Sequence, residues 1–343
     1  MTDKYTQKQS NIFEIPDSII PKDKRLFIPN WDNKPPIQKT IIKTQGNRIL
    51  TTGNLLALVS KPGTGKSSIC EAIISNLLNS NCDSLGFEVS LHNGRDKVLY
   101  IDTERTLQDT WNSWERTYKR AKIEYPNVDN RLIFANFKAI SINERKSHLE
   151  SILNDNKDIG LVIFDGAGDF VRDTNSIQET GEFIDWINSF NSNISIFVTL
   201  HTNLSDNKPR GHLGSELCRR AESVLLVRKL DDGIREITTE FEHGKVRNDN
   251  DLATSYYKYS DETSMFISID HIPKKAFNVE KEQDYKLMAE KIFEGKTILS
   301  SSYIIKEIST KTEKTLVASK GIFHRHFIGY KLIQKTSEGY KLT

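Results

Sequence analysis

The stretch Leu55 to Leu78, LLALVSKPGTGKSSICEAIISNLL, restricts the possible folds of this chain more than any other. The apolar run Leu55 to Val59 reads as a buried strand. It breaks at Lys61-Pro62-Gly63-Thr64-Gly65 and resumes at Lys66-Ser67 as an amphipathic helix, with Ile69, Ala72, Ile73 and Leu77 on its apolar side. A strand, a glycine turn, Lys-Ser and a helix bring free backbone N–H groups to one point, which makes a cradle for polyphosphate. The expected phosphate-binding residues are Pro62, Gly63, Thr64, Gly65, Lys66, Ser67 and Ser68. Lys66 is expected over the β- and γ-phosphates of ATP, and the Ser67 hydroxyl on Mg²⁺. One position departs from the G-x-x-x-x-G-K-[ST] pattern: Ser60 stands at its first glycine.

Around this motif the chain alternates buried strands with helices. Further strands are expected at Lys97 to Asp102, Arg131 to Phe137, Gly160 to Phe164 and Ile194 to Leu200. Helices are expected at Leu107 to Ala121, Ile142 to Leu153 and Ile177 to Phe190. Near-continuous apolar strands separated by helices predict an α/β fold, a mostly parallel sheet covered on both faces. Ligands in such sheets sit at the carboxyl ends of the strands. From about Val224 the texture changes to antiparallel hairpins, with Asp231-Asp232-Gly233 at the first turn.

The strand ends carry the candidate chemistry. Asp165 closes LVIF and is placed to hold Mg²⁺ through its water shell, opposite Ser67. Glu104 follows KVLYIDT and is placed to orient an attacking water, with Asp102 a competing carboxylate. His201 ends ISIFVTL, where a polar side chain can contact the γ-phosphate. The following loop, Leu204 to Glu216, carries Lys208 and Arg210. Basic and glycine-punctuated, it suits a nucleic-acid backbone, with a solvated surface loop the plain alternative. Lys245 and Arg247 lie two apart after the strand IREITTEF and can project toward one phosphate cluster.

Charge is nearly balanced at +2, but residues 296–343 hold nine Lys and Arg against three Glu, a net of +6 on an otherwise acidic chain. Three cysteines without C-x-x-C spacing indicate neither a disulfide framework nor a zinc site. No apolar run approaches a membrane span, and the start lacks a signal core, so a cytoplasmic, non-membrane protein is expected. Residues 1–50 are polar and proline-broken and read as an arm or extended packing segment. The boundaries expected are an arm at 1–50, an ATPase domain at 51–272, a linker at 273–283 and a small domain at 284–343. In the last, three helices and a hairpin follow the winged-helix order. Its third helix, Thr315 to Phe327, carries Lys320 and Arg325, and its hairpin carries Lys335; all three are candidate duplex-DNA contacts. A winged helix used only for protein contact is the alternative.

Taken together, SKPGTGKS, YIDTE, LVIFD, VTLHTN with RGHLGS, and GKVR resemble the RecA-like P-loop ATPases. Within them they resemble the hexameric replicative helicases of DnaB type and their plasmid RepA-like relatives. The resemblance implies a RecA-like fold, ATP and Mg²⁺ as cofactors, and a homo-oligomer, a hexameric ring, passing single-stranded DNA through its channel. It assigns Lys66 as phosphate lysine, Glu104 as catalytic glutamate and Asp165 as Mg²⁺-associated aspartate. It puts His201 at the sensor place and makes Lys245 and Arg247 the pair that reaches a neighbouring subunit's γ-phosphate. The expected role is the replicative helicase of a plasmid or mobile element. The alternatives are a recombination or transposition ATPase that does not unwind DNA, and a nucleotide-gated DNA-binding regulator.

Overall fold

Period-two alternation inside the apolar runs decides the architecture. In the computed structural model of the chain, Ala57 and Val59 enter one core while Leu56 and Leu58 enter another, on the opposite face of the same strand. The structure describes residues 34–35, 37–92, 94–124, 126–190, 192–203, 205–230, 233–247, 249–269, 279–313, 315–328 and 331–343.

The chain runs β1 (Thr40–Thr44), β2 (Asn47–Thr51), β3 (Leu55–Ser60), α1 (Lys66–Leu78), β4 (Phe87–Val89), β5 (Lys97–Asp102), α2 (Leu107–Arg120), β6 (Leu132–Asn136), α3 (Ile142–Asp155) and β7 (Ile159–Asp165). It continues through α4 (Ile177–Asn188), β8 (Ser195–His201), α5 (Gly211–Arg220), β9 (Ser223–Lys229), β10 (Ile234–Thr238), β11 (Lys245–Val246), β12 (Ser255–Ser260) and β13 (Met265–Ser268). The main sheet is ordered β13-β12-β10-β9-β3-β8-β7-β5-β6, with β11 also on β9. The six strands from β9 to β6 are parallel. Strands β10, β12 and β13 extend the sheet antiparallel. This is the mostly parallel α/β fold that the alternating pattern predicts.

Register then sets the site. Ser60 pairs with His201 and Asp102 with Asp165, so the polar strand ends share one edge of the sheet. One face is closed by an aromatic cluster in which Phe164, Phe170, Phe183 and Trp186 lie within 6.4 Å of one another, centre to centre. The other is closed by α1 and by a small sheet ordered β2-β1-β4.

That small sheet is built from the ends of two polar stretches. Of the expected arm, residues 1–33 lie outside the described residues, while β1 and β2 form a hairpin whose Ile41, Ile42, Ile49 and Leu50 are buried with Leu56 and Leu58. The polar stretch Asn79 to Asp96 contributes β4, which pairs with β1. The hairpin turn Asp231-Asp232 lies outside the described residues, as do residues 273–278 of the expected linker; from Val279 the chain is helical.

The C-terminal segment is α6 (Val279–Phe293), α7 (Ser301–Thr312), α8 (Leu316–Ile322), β14 (Ile333–Lys335) and β15 (Tyr340–Leu342). It has its own core of Ile292, Phe293, Ile304, Ile308, Phe323 and Phe327. The third helix is shorter than expected: α8 ends at Ile322 and passes into a π-helical turn, Phe323–Ile328. Tyr340 and Leu299 exchange backbone hydrogen bonds of 2.8 and 2.9 Å, closing the hairpin onto the segment before α7.

Candidate functional site

The glycine loop between β3 and α1 is held open from below. Gly65 caps α1 in the left-handed region, at φ 99°, which a side chain would strain. No side chain caps this helix, and its first turn carries no acidic residue. Its leading N–H groups and positive dipole end are therefore left to an anion. Ser60, where the pattern has glycine, is fully buried. Its hydroxyl accepts from Lys66 Nζ at 3.1 Å and lies 2.5 Å from Thr64 Oγ1. The departure from the motif thus supplies a tether for the lysine that a glycine lacks.

Asp165 is the centre of the polar edge. Its Oδ2 accepts from Ser67 Oγ at 2.5 Å and from Tyr100 OH at 2.6 Å, and its Oδ1 accepts from Thr199 Oγ1 at 2.9 Å. Arg105 Nη2 stands 3.8 Å from the same carboxylate. Burial pushes the Tyr100 hydroxyl well above its ordinary pKa, so it stays a donor.

The two carboxylates at the end of β5 have different surroundings. Asp102 is buried and saturated: it accepts from Glu104 N, Arg105 N, Arg105 Nε at 2.8 Å and Thr110 Oγ1 at 2.7 Å. Glu104 is half exposed and faces His201, whose Nε2 lies 3.2 Å from its Oε1. On the other side of the ring, His201 Nδ1 lies 3.2 Å from Lys66 Nζ. An ammonium only donates and a carboxylate only accepts, so His201 accepts at Nδ1 and carries its proton on Nε2. Hydrogen bonding from His201 holds the Glu104 carboxyl below the usual carboxylate range, against the opposing push of burial. Burial pulls the Lys66 ammonium below its ordinary value, with Asp165 and Glu104 opposing. Lys66, Ser67, Glu104, Asp165 and His201, which are 135 residues apart at the extremes, are thereby linked on one edge.

A polar cavity of about 320 Å³ opens beside Glu104 and His201, with Asp169, Thr174 and Arg210 on its wall. The basic loop differs from the sequence reading. It folds back through a Thr202–Pro209 bridge, Arg210 N donates to His201 O at 2.8 Å, and from Gly211 the chain is helix α5. Arg210 therefore belongs to the cavity, whereas Lys208 is exposed and pairs with Glu242 at 3.5 Å.

Lys245 and Arg247 are not brought to this edge. Val246 pairs with Ser223 at the start of β9, whereas Val227, farther along β9, pairs across to Ser60. Four residues of strand, about 13 Å, separate the two places. Both cations turn to the end of α5: Lys245 Nζ donates to Arg219 O at 2.9 Å and Arg247 Nη2 at 3.4 Å. Burial, then the Arg247 charge, lowers the Lys245 pKa. In the C-terminal segment Lys320 and Lys335 are exposed, and the side chain of Arg325 lies outside the described residues.

Several contributors are not singled out by the sequence reading as site residues. Tyr100, Thr103, Arg105 and Thr199 hold Asp165 and its neighbours; Arg235, Tyr257 and Phe266 lie under the glycine loop. Tyr100 and Thr103 fall within YIDTE and Thr199 within VTLHTN, and Tyr100 and Thr199 each stand two residues before a polar strand end, on the same side of the strand.

A family model described as an AAA domain (AAA_25) matches residues 24–206, which is more than half of the chain. The match spans the glycine loop, Glu104, Asp165 and His201 and stops before Lys245. No curated protein shows a match to the chain. With its strand–loop–helix phosphate site at the edge of a mostly parallel sheet, the chain belongs to the AAA-domain family of P-loop ATPases.

Proposed function

We propose that this ATPase is a DNA-acting motor, the replicative helicase of a plasmid or mobile element, hydrolysing ATP at the interfaces of a homo-hexameric ring. The observation that carries this reading is the division of the charged groups. The phosphate-side set converges on one sheet edge, while Lys245 and Arg247 stand about 13 Å away at the start of β9. An arginine so displaced serves its own site poorly, and on this reading it serves a neighbour's.

The donor set fits Mg²⁺. Ser67 and Asp165 offer two hard oxygens side by side, and Mg²⁺ is held by one or two carboxylates with waters and substrate phosphates rather than by an all-protein cage. Among the described residues there is no cluster of three or more His, Cys, Asp or Glu fit to hold a metal. When bound, the ion supplies charge neutralisation at the β- and γ-phosphate oxygens. The chain's own residues do the rest. Lys66 binds the phosphates, leaving Ser60 and His201 as it does so. Glu104 is ionised, partly open to solvent and oriented by His201, so it can hold an attacking water by its proton. His201 touches both Lys66 and Glu104, so loss of the γ-phosphate reaches Arg210 and α5 through one side chain.

The DNA side rests on Lys208 and Arg210 for the single strand in the channel. It rests on the segment 284–343, read as a winged helix with Lys320, Arg325 and Lys335, for duplex. The ATPase domain is taken as 51–272 with the β1–β2 hairpin packed on it, and the linker expected at 273–283 gives way to α6 at Val279.

The test is ATP turnover with Mg²⁺, with and without single-stranded DNA, followed on the same samples by unwinding of a forked duplex. Turnover stimulated by DNA and coupled to unwinding is expected. Stimulated turnover without unwinding assigns the non-unwinding recombination class instead, and absence of turnover overturns the motor reading.

A further inference from the structure

The glycine loop rests on a shelf built by the antiparallel end of the sheet, far away in sequence. Arg235 on β10 is nine-tenths buried, and its Nε donates to Thr64 O at 3.2 Å. Its Nη1 donates to Gly233 O at 2.9 Å, which pins the guanidinium fork. The guanidinium carbon lies 5.4 Å from the centre of the Phe266 ring, and the same ring passes 3.5 Å from the place a Cβ on Gly65 would occupy. Tyr257 OH lies 3.5 Å from Thr64 O. Arg120 from α2 fixes Phe266 in turn, donating to its backbone oxygen at 2.7 Å.

Among the described residues no carboxylate pairs with Arg235, whose acceptors there are backbone carbonyls. A buried guanidinium held on backbone carbonyls is a costly way to fill space, since apolar residues of similar volume serve stability as well or better. The charge has a different use here. A peptide is planar and trans, so its C=O and N–H point in opposite directions. Holding Thr64 O down toward β10 turns the Gly65 N–H up, away from the shelf, into the anion cradle. At Gly65, where φ is 99°, the backbone has no side chain to prevent the peptide from flipping.

We propose that Arg235 is a positioning residue for the phosphate cradle: it locks the Thr64–Gly65 peptide in the orientation that presents the Gly65 N–H to the β-phosphate of a bound nucleoside di- or triphosphate. The inference rests on the nucleotide-site reading above and adds to it the element that preorganises the site.

The experiment is calorimetric titration of the 343-residue chain with ADP and with the slowly hydrolysed analogue ATPγS, in Mg²⁺, for wild type, Arg235→Met, Arg235→Leu and Arg235→Lys. Met and Leu both lack a donor to Thr64 O, so either variant that folds carries the test. Both nucleotides contain the β-phosphate, so Kd is expected to rise about tenfold for each, the equivalent of one hydrogen bond, with one site per chain retained. Lys keeps the charge and one donor and is expected to recover part of the loss. In steady state KM rises with kcat much less changed. A merely structural role predicts the reverse pattern: fewer competent sites with Kd unaltered. That pattern, or a Kd within twofold of wild type in a fully competent Met or Leu variant, overturns the inference while leaving the nucleotide site intact. Failure of the wild type itself to bind either nucleotide overturns the site reading and the inference together.

Discussion

Replacing Asp165 by Asn isolates what this carboxylate does for the fold before any ligand binds. The amide is the same size, but its nitrogen cannot accept a hydrogen bond. With the nitrogen at the Oδ2 position, Ser67 Oγ and the buried Tyr100 OH both lose their acceptor. With the amide flipped, those two bonds survive without charge, but a donor then faces Thr199 Oγ1, whose own proton loses its acceptor. Hydrogen bonds to charged groups contribute roughly 1.5–3 kcal/mol each, and the Ser67 side is partly solvated, so the expected loss is about 2–3 kcal/mol. Urea unfolding followed by tryptophan fluorescence, in buffer free of nucleotide and Mg²⁺, measures it. Trp186 packs in the same aromatic cluster as Phe164, the residue before Asp165, and reports on this core. The midpoint should fall with the slope unchanged. A double-mutant cycle with Tyr100→Phe should show a coupling of about 1 kcal/mol or more, since the two groups are in direct contact. An Asn variant within about 0.5 kcal/mol of wild type, or strict additivity with Tyr100→Phe, would refute the reasoning.

Glu104→Gln should bind ATP normally and lose about 100-fold or more in turnover, whereas Asp102→Asn should chiefly lose stability, about 3 kcal/mol, because it breaks a buried pair with Arg105; the opposite assignment in binding and melting measurements would exchange their roles. In His201→Ala the hydrogen bond that depresses the Glu104 pKa is gone while burial still raises it, so the acidic limb of kcat/KM against pH should move to higher pH; an unmoved limb excludes Glu104 as the group titrating there. Arg247→Ala and Lys66→Ala should each be inactive alone but regain part of the activity when mixed under subunit exchange, since some interfaces then pair an intact phosphate site with an intact arginine. No recovery in verified mixed oligomers would remove the trans role and the main reason for a ring.

What the sequence determined by itself was everything carried by local periodicity and local turn chemistry. The apolar runs ending in Ser60, Asp102, Asp165 and His201 specify parallel strands, and parallel strands with short polar ends put those residues on one edge whatever the side chains later do. The glycine turn before Lys66 specifies an anion site for the same local reason. The tertiary structure alone decided which carboxylate is free. Asp102 and Glu104 are two residues apart, and only the capture of Asp102 by Arg105 and Thr110 leaves Glu104 to His201. It also decided α5: Gly214 argues locally against a helix, but burying Leu213 and Leu217 in the core overrides that propensity. Arg235 reaches Thr64 across 171 residues because β10 joins the sheet beside β9, which lies beside β3. Such contacts leave no mark in any short window of sequence. Periodicity records which face of an element is buried, while the partner on that face is set by strand order and register, which are properties of the assembled sheet.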